Sequence, residues 1–593
     1  MTKTLEGAVP SAPGGGAGFE RGADHAASSQ APETHLHPVS RPSPAVAITL
    51  GLLGAAAVTA LYLFGSHGFA LSEPDEARYA EIAREMLVRH DWTTPHLNFV
   101  KYLEKPPLVY WGTALSFAMF GIGELAARLP SVLAGLATLA LCVWFAARTY
   151  GTATALLTLP ILGLGPLFGF LAQILTLDMS LTFFMTAAMV AVWFGWSSAM
   201  ATSGAEPPSA RGWYRIAYVA TALAVLVKGP VAAVLVGGAA LLFLTLHGGW
   251  RAVRPALDWR GAALALLVLL PWHVLVSWRN PEFVHFYVVE QHLARYLWTR
   301  EHGEPIWFFL PAIPVALGAW GLMLLFDPPL LRAALAPRSW TPATRFLVIW
   351  AAVIVVFFSL STSKLVTYVL PAIPPLAILT ARTIVLGCAN GRTAGLSRLA
   401  WLLLIAGPLM GLCGVLLPLV HHHWRAPLVV PHLLAGGALL LATGWLIRRE
   451  LGRGRVYAAL GVLAVGWYAM MAVAVTTRAV ANEYRALGLS ARAAMQPDDR
   501  LAMYNHVTQG IPFYAQRRVI MVRNIGELKF GSEQGDQSGW FWRNDDDLRR
   551  EWAAPGRLFL VINRSELHEI SPPLDPRPTV VAVKGKKVLV VNR

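Results

Sequence analysis

Thirteen apolar runs govern what this chain can fold into. They lie at residues 46–64, 125–148, 152–173, 178–200, 214–228, 230–247, 261–279, 306–326, 344–361, 366–387, 398–420, 428–446 and 456–477. About 20 residues of helix cross a bilayer, and in lipid a segment must satisfy its own backbone hydrogen bonds, so each run is predicted to be a transmembrane helix. Composition agrees: 14% of the 593 residues are charged, against about 25% in a soluble domain. The fold class is therefore an α-helical polytopic membrane protein. Residues 1–44, rich in Gly, Ala, Ser, Pro and His, have no apolar period and are predicted to be a disordered cytoplasmic tail without a short cleavable signal.

A net charge of +15 would suit a nucleic-acid binder, but in a multi-pass chain basic residues first set topology. With a cytoplasmic N-terminus, the inner loops hold sixteen Arg, from Arg148 through Arg211, Arg215 and Arg260 to Arg455. Only Glu206, Asp258, Asp327 and Glu450 oppose them. Nucleic acid is thus excluded as a partner. Counting residues 107–120 as a further span would invert every later loop, so this segment is predicted to be an interfacial helix within a first outer loop at 71–124. An odd span count places residues 478–593 on the outer side, where short β-like runs at 518–522, 558–563, 579–583 and 587–591 surround a helix at 547–553. These predict a small α/β domain after the membrane domain of 45–477. The three cysteines, Cys142, Cys388 and Cys413, match neither a metal site nor a disulfide framework.

Unusual polar residues gather on the outer side. Ser72 is a predicted N-cap, with Pro74 in the first turn and a helix running to about His90. Asp75, Arg78 and Tyr79 then share one helix face at i, i+3 and i+4. The same spacing would serve a capping acid and its solvated partner. Lys101, Tyr102, Glu104 and Lys105 precede the aromatic interfacial stretch, and Lys105 can be read as a lipid anchor or as a phosphate ligand. Asp178 opens a span, Lys228-Gly229-Pro230 joins two, and charges in such places commonly face a protein-lined cavity. The loop 278–305 adds His285, Glu290 and Arg295, and residues 361–368 add Lys364 and Tyr368. His285 with Glu104 is a candidate pair for a divalent metal. No Gly-rich nucleotide loop is found on the cytoplasmic side. A transporter would place its charges near the midplane within repeated halves, and no such halves are found.

The segments Asp75-Glu76-Ala77-Arg78-Tyr79-Ala80-Glu81, Asp91-Trp92 and Glu104-Lys105-Pro106-Pro107-Leu108 resemble the lipid A 4-amino-4-deoxy-L-arabinose transferases. These are membrane glycosyltransferases of the GT-C fold, related to the protein O-mannosyltransferases. The likeness extends through Arg128-Leu129-Pro130-Ser131, Asp178, Lys228-Gly229-Pro230, Asn280-Pro281 and residues 361–368. It implies that the chain of about 13 transmembrane helices read from the apolar runs takes the GT-C fold, and that it transfers 4-amino-4-deoxy-L-arabinose from an undecaprenyl phosphate donor to a lipid A phosphate acceptor. The implied place is the periplasmic face of a bacterial inner membrane, and the implied outcome is resistance to polymyxin and cationic peptides.

By the same resemblance Asp75 takes the catalytic carboxylate position and Asp178 a supporting one, while Arg78, Tyr79, Tyr102 and Lys105 surround the carrier phosphate. Lys228, Glu290, Arg295, Lys364 and Tyr368 are further cavity candidates. No cofactor is expected to be required, beyond a divalent metal if Glu104 and His285 hold one. Relatives that move another sugar, and a lipid or sugar transporter, are the alternatives.

Overall fold

Each apolar run is helical in the computed structural model, which describes residues 43–201, 208–294, 303–420, 426–477 and 483–593. Arg295 and residues 1–42 of the predicted tail lie outside the described residues. The helices are α1 (Pro44–Ser66), α2 (Asp75–Arg89), α3 (Leu108–Phe120), α4 (Glu124–Tyr150), α5 (Thr152–Gly163), α6 (Pro166–Leu171), α7 (Leu177–Ala201) and α8 (Pro208–Lys228). They continue with α9 (Val231–Val253), α10 (Trp259–Arg279), α11 (Phe309–Ala316), α12 (Ala319–Leu325), α13 (Pro342–Leu360), α14 (Ile373–Ala389), α15 (Ala394–Val420), α16 (Ala426–Gly452) and α17 (Val456–Thr476). Among the described residues ten helices are long and apolar enough to cross a bilayer: α1, α4, α7, α9, α10 and α13 to α17. The chain is a multi-pass membrane protein.

Three of the thirteen runs depart from a simple span. The 21-residue α8 carries Arg211, Arg215 and Lys228. Residues 152–173 break between α5 and α6, and 306–326 break between α11 and α12. The two breaks meet. A Cβ on Gly318 would lie 2.9 Å from Pro166 Cδ, and one on Gly165 would lie 3.1 Å from the Ala316 carbonyl. Gly318 has φ 62, open to glycine, and Trp467 Nε1 donates to the Leu164 carbonyl at 2.9 Å, so a side chain satisfies backbone that the break leaves unpaired.

Arginines of the predicted inner loops tie helix ends together. Arg215 binds Asp258 at 2.5 Å, Arg382 lies 4.2 Å over the Tyr150 ring, and Arg448 donates to Ser397 at 3.1 Å. These contacts join helix ends on the arginine side. On the other side the predicted interfacial helix is found as α3, whose 13 residues are too few to span. Ser72 is not the side-chain cap predicted for α2. Its N–H and hydroxyl both donate to Glu76 Oε2, at 2.9 and 2.5 Å, because that carboxylate is fixed from elsewhere.

The fixing group is Arg128. This guanidinium is wholly buried in α4, and its Nε and Nη2 donate to the two Glu76 oxygens at 2.7 and 2.9 Å. It also binds the carbonyls of Ser66, Phe69 and Ala70, while Glu76 accepts the Leu175 N–H at 2.9 Å. One ion pair thus joins the end of α1, the start of α2, the start of α4 and the approach to α7.

After α17 the chain enters an α/β domain with α18 (Glu483–Ala494), α19 (Gly510–Ala515) and a six-stranded sheet of order β5-β4-β3-β6-β8-β7. Its strands are β3 (Arg500–Tyr504), β4 (Val519–Val522), β5 (Phe541–Trp542), β6 (Leu558–Asn563), β7 (Thr579–Lys584) and β8 (Lys587–Val591), while β1 (His96–Leu97) and β2 (Val100–Lys101) form a hairpin in the outer loop. β5, β4, β3 and β6 run parallel, and β8 and β7 close the edge antiparallel. Alternate residues face opposite ways. Ala502, Ile520, Leu560 and Val590 pack with Trp552 in a core of the domain's own. Met503, Met521, Val561 and Leu589 belong instead to the core that includes Ala77, Ala80 and Ala83 of α2. The domain therefore shares one face of its sheet with the outer loop. The seam is hydrogen-bonded as well: the Asn98 side chain donates to the Val519 carbonyl at 2.8 Å and accepts its N–H at 2.9 Å.

Arg128→Met leaves Glu76 buried without its cation and is expected to cost about 3–5 kcal/mol. This would be read as a lower thermal midpoint of the detergent-purified protein. Adding Glu76→Gln should recover part of the loss.

Candidate active site

The start of α2 is the centre of the site. Asp75 is its first residue, and its half-exposed side chain lies 3.4 Å from Arg78 Nη1, as the i, i+3 spacing predicts. Arg78 lies deeper and reaches Glu527 of the α/β domain, Nη2 to Oε2, at 2.5 Å. Burial alone would depress this guanidinium, but Tyr102, Glu527, Tyr79 and Asp75 more than offset it, so its pKa is raised. Burial pushes the Glu527 carboxyl up, and Arg78 pulls it part of the way back.

Three tyrosines wall this guanidinium. Tyr79 lies one residue on, with its ring 5.9 Å from Arg78 Cζ and 5.8 Å from the Tyr110 ring. Tyr102, after the β1–β2 hairpin, and Tyr110, on α3, are buried. Burial raises all three phenols, which keeps them protonated and able to donate. Among the described residues, Arg78 Nε, Tyr102 Oη and Tyr110 Oη are buried donors with no hydrogen-bond partner. Buried donors are rarely left so, and three in one neighbourhood form a cradle lacking its acceptor. A phosphate, with several anionic oxygens, matches that need.

A second pair faces the first. Lys228, the last residue of α8, binds Asp178 in the first turn of α7. Gly229 follows with φ 116, a conformation in which glycine ends α8 before Pro230 opens α9. Lys228 Nζ stands 4.9 Å above the Tyr368 ring, and Asp75 lies within electrostatic reach of it. The structure thus gathers Asp75, Arg78, Tyr79, Tyr102, Asp178, Lys228 and Tyr368, with Glu104 close enough to act on all three phenols. Lys105, half-buried, follows Glu104 on the turn before α3.

Other predicted residues stand apart from this cluster in their contacts. The Lys364 ammonium donates to the carbonyls of Glu304 and Ser361 at 2.8 and 2.7 Å, tying two chain segments. Glu290 faces His285 at 3.5 Å on the π-helical segment His285–Ala294, and both are largely exposed. Among the described residues no group of three or more His, Cys, Asp or Glu is gathered as a metal centre.

Two contributors escape a reading of the sequence as site residues. Tyr110 sits within an apolar stretch, where its hydroxyl is the only hint. Glu527 lies in another domain and has no local signature.

Two family models match the chain: dolichyl-phosphate-mannose-protein mannosyltransferase over residues 47–287 and the aminoarabinose transferase C-terminal domain over residues 487–593. An undecaprenyl phosphate-α-4-amino-4-deoxy-L-arabinose arabinosyl transferase 1 of Pseudomonas fluorescens is 30% identical over 420 residues, covering 69% of this chain and 72% of that protein. A second such transferase of that species is 29% identical over 527 residues, covering 85% and 90%. The crystal structure of ArnT from Cupriavidus metallidurans bound to undecaprenyl phosphate aligns with a TM-score of 0.79 at 28% identity, covering 91% of this chain and 98% of that one.

A simple alkyl phosphate such as decyl phosphate should raise the thermal midpoint of the purified protein. Hydrogen bonds to a charged group are worth about 1.5–3 kcal/mol, so Arg78→Gln should weaken that binding by about tenfold or more, with a smaller loss for Tyr102→Phe.

Proposed function

The chain belongs to the family of undecaprenyl phosphate-α-4-amino-4-deoxy-L-arabinose arabinosyl transferases, and on that footing we propose that it moves 4-amino-4-deoxy-L-arabinose from undecaprenyl phosphate to a phosphate of lipid A. The reaction takes place at the periplasmic face of a bacterial inner membrane. The modified lipid A carries a cation beside its phosphate and attracts polymyxin and other cationic peptides less. The observation that carries this reading is the set of unpartnered buried donors, Arg78 Nε, Tyr102 Oη and Tyr110 Oη, beside the Asp75 carboxylate.

An oxygen of the acceptor phosphate forms a bond to the anomeric carbon as the bond from that carbon to the carrier oxygen breaks. The carrier phosphate leaves with the electron pair. Positive charge develops on the sugar and negative charge on the leaving group. Arg78 and the two phenols donate to the leaving phosphate, and Lys105 adds a point charge. The acceptor phosphate has a second pKa near 6, so it arrives with at most one proton to lose. Asp75 takes that proton when present and faces the developing cation. Asp178, held by Lys228, supports the same side of the sugar.

Asp75→Asn should lower transfer by at least about 100-fold while the protein still inserts and binds carrier. Mass spectrometry of lipid A from cells expressing each form reads this directly, and a wild-type level of aminopentose addition by Asp75→Asn would remove the carboxylate from the mechanism. Because side chains meet every charge in this scheme, exhaustive chelation should leave turnover by the purified enzyme unchanged. Loss on chelation, restored by a divalent cation and insensitive to it in His285→Ala, would instead place a metal at Glu104 and His285.

A further inference from the structure

The acid bound to Arg78 comes from outside the membrane domain. Glu527, on the helical turn Gly526–Leu528 after β4, holds Arg78 at 2.5 Å, and Gln509 Nε2 donates to its other oxygen at 3.2 Å. Its side chain is 18% exposed, and Glu104 and Glu73 are further acids within electrostatic reach of it. Arg78 therefore already carries an anion on Nη2, beside the unpartnered Nε at which the carrier phosphate is proposed to bind. When the phosphate draws the guanidinium toward itself, Glu527 loses much of its hold on that cation and faces a group of like sign while its own side chain is only 18% exposed. An enclosed carboxylate in that position needs another cation.

The donor brings one. Resting on the function proposed above, the carrier is joined to the sugar through a phosphodiester of charge −1, and the sugar has a 4-ammonium of charge +1. We propose that Glu527 is the recognition residue for the sugar's ammonium, occupying Arg78 until the carrier phosphate takes the guanidinium and then pairing with the amine. One ion pair becomes two, and the net charge of the site does not change. No covalent bond is made or broken. After transfer the carrier is left as a phosphomonoester without an ammonium, and Glu527 then competes with it for Arg78, which promotes its release. The position fits the chemistry: Glu527 lies in the segment matched by the aminoarabinose transferase domain and beyond residue 287, where the mannosyltransferase match ends.

The test uses the full-length enzyme and its isosteric variant Glu527→Gln. Two quantities are measured: affinity for sugar-free undecaprenyl phosphate, and the ratio of kcat/KM for donors with a 4-amino and a 4-hydroxyl L-arabinose on the same carrier. Glu527→Gln should bind undecaprenyl phosphate several-fold more tightly than wild type, a gain that a merely disruptive change does not give. The amino-to-hydroxyl ratio should fall about tenfold or more, and Glu527→Asp should keep most of it. Weaker or unchanged binding of the carrier, or an unchanged ratio, overturns the proposal. If Glu527→Gln fails to fold, Glu527→Asp against Glu527→Asn carries the same comparison. A wild-type enzyme that neither binds undecaprenyl phosphate nor transfers the amino sugar would instead overturn the function on which the inference rests.

Discussion

The fully buried ion pair of Arg128 and Glu76 is the constraint on which the rest of the outer face depends. Taking two charges out of water is costly, and such a pair is favourable only when further hydrogen bonds satisfy the remaining donors and acceptors. Here three backbone carbonyls complete the guanidinium, and the N–H groups of Ser72 and Leu175 complete the carboxylate. Because Glu76 is adjacent to Asp75 and Leu175 is three residues before Asp178, a single buried contact fixes both carboxylates of the site relative to each other. Neither Arg128 nor Glu76 needs to touch substrate for this.

Around that anchor, charge is divided by function. Arginines on one face bind a loop acid, a ring face and a serine hydroxyl, as topology-setting residues do. On the opposite face the cations meet acids that lie far away in sequence: Arg78 with Glu527, Lys228 with Asp178, Lys101 with Glu282. The α/β domain adds the missing walls. One face of its sheet packs on α2, so the helix that presents Asp75 and Arg78 lies between a lipid-embedded bundle and a water-facing sheet.

What the sequence makes legible follows from the physics of each element. Helices in lipid have one solution for their backbone, so every apolar run is readable as helix. The two breaks were hidden because Gly165-Pro166 and Gly318 signal interruption without saying that the interruptions meet. Asp75, Arg78 and Tyr79 share a face through local spacing and are readable; Asp178 and Lys228 are each readable as charges at span ends, but not as a pair. Strands β3 and β5 escaped because β3 mixes its apolar residues with Arg500 and β5 has two residues. Glu527 was illegible in principle, since no local pattern ties a residue of the last domain to the first loop. The reading of Ser72 as a cap failed for a similar reason, because a distant arginine decides where Glu76 points.

Glu73 gives the assembly a consequence for how such chains diversify. Its carboxylate accepts from the Thr508 hydroxyl and from the N–H groups of Gln509 and Gly510, and a Cβ on Gly510 would stand 2.6 Å from Glu73 Oε1. Two residues later in the chain comes Asp75. The membrane half and the water-facing half are therefore not interchangeable modules: a terminal domain from a relative would have to arrive with a loop that grips the same carboxylate and leaves the same gap at the glycine. A change at Glu73 and a change at Gly510 are felt through one shared contact, so neither half can alter it alone.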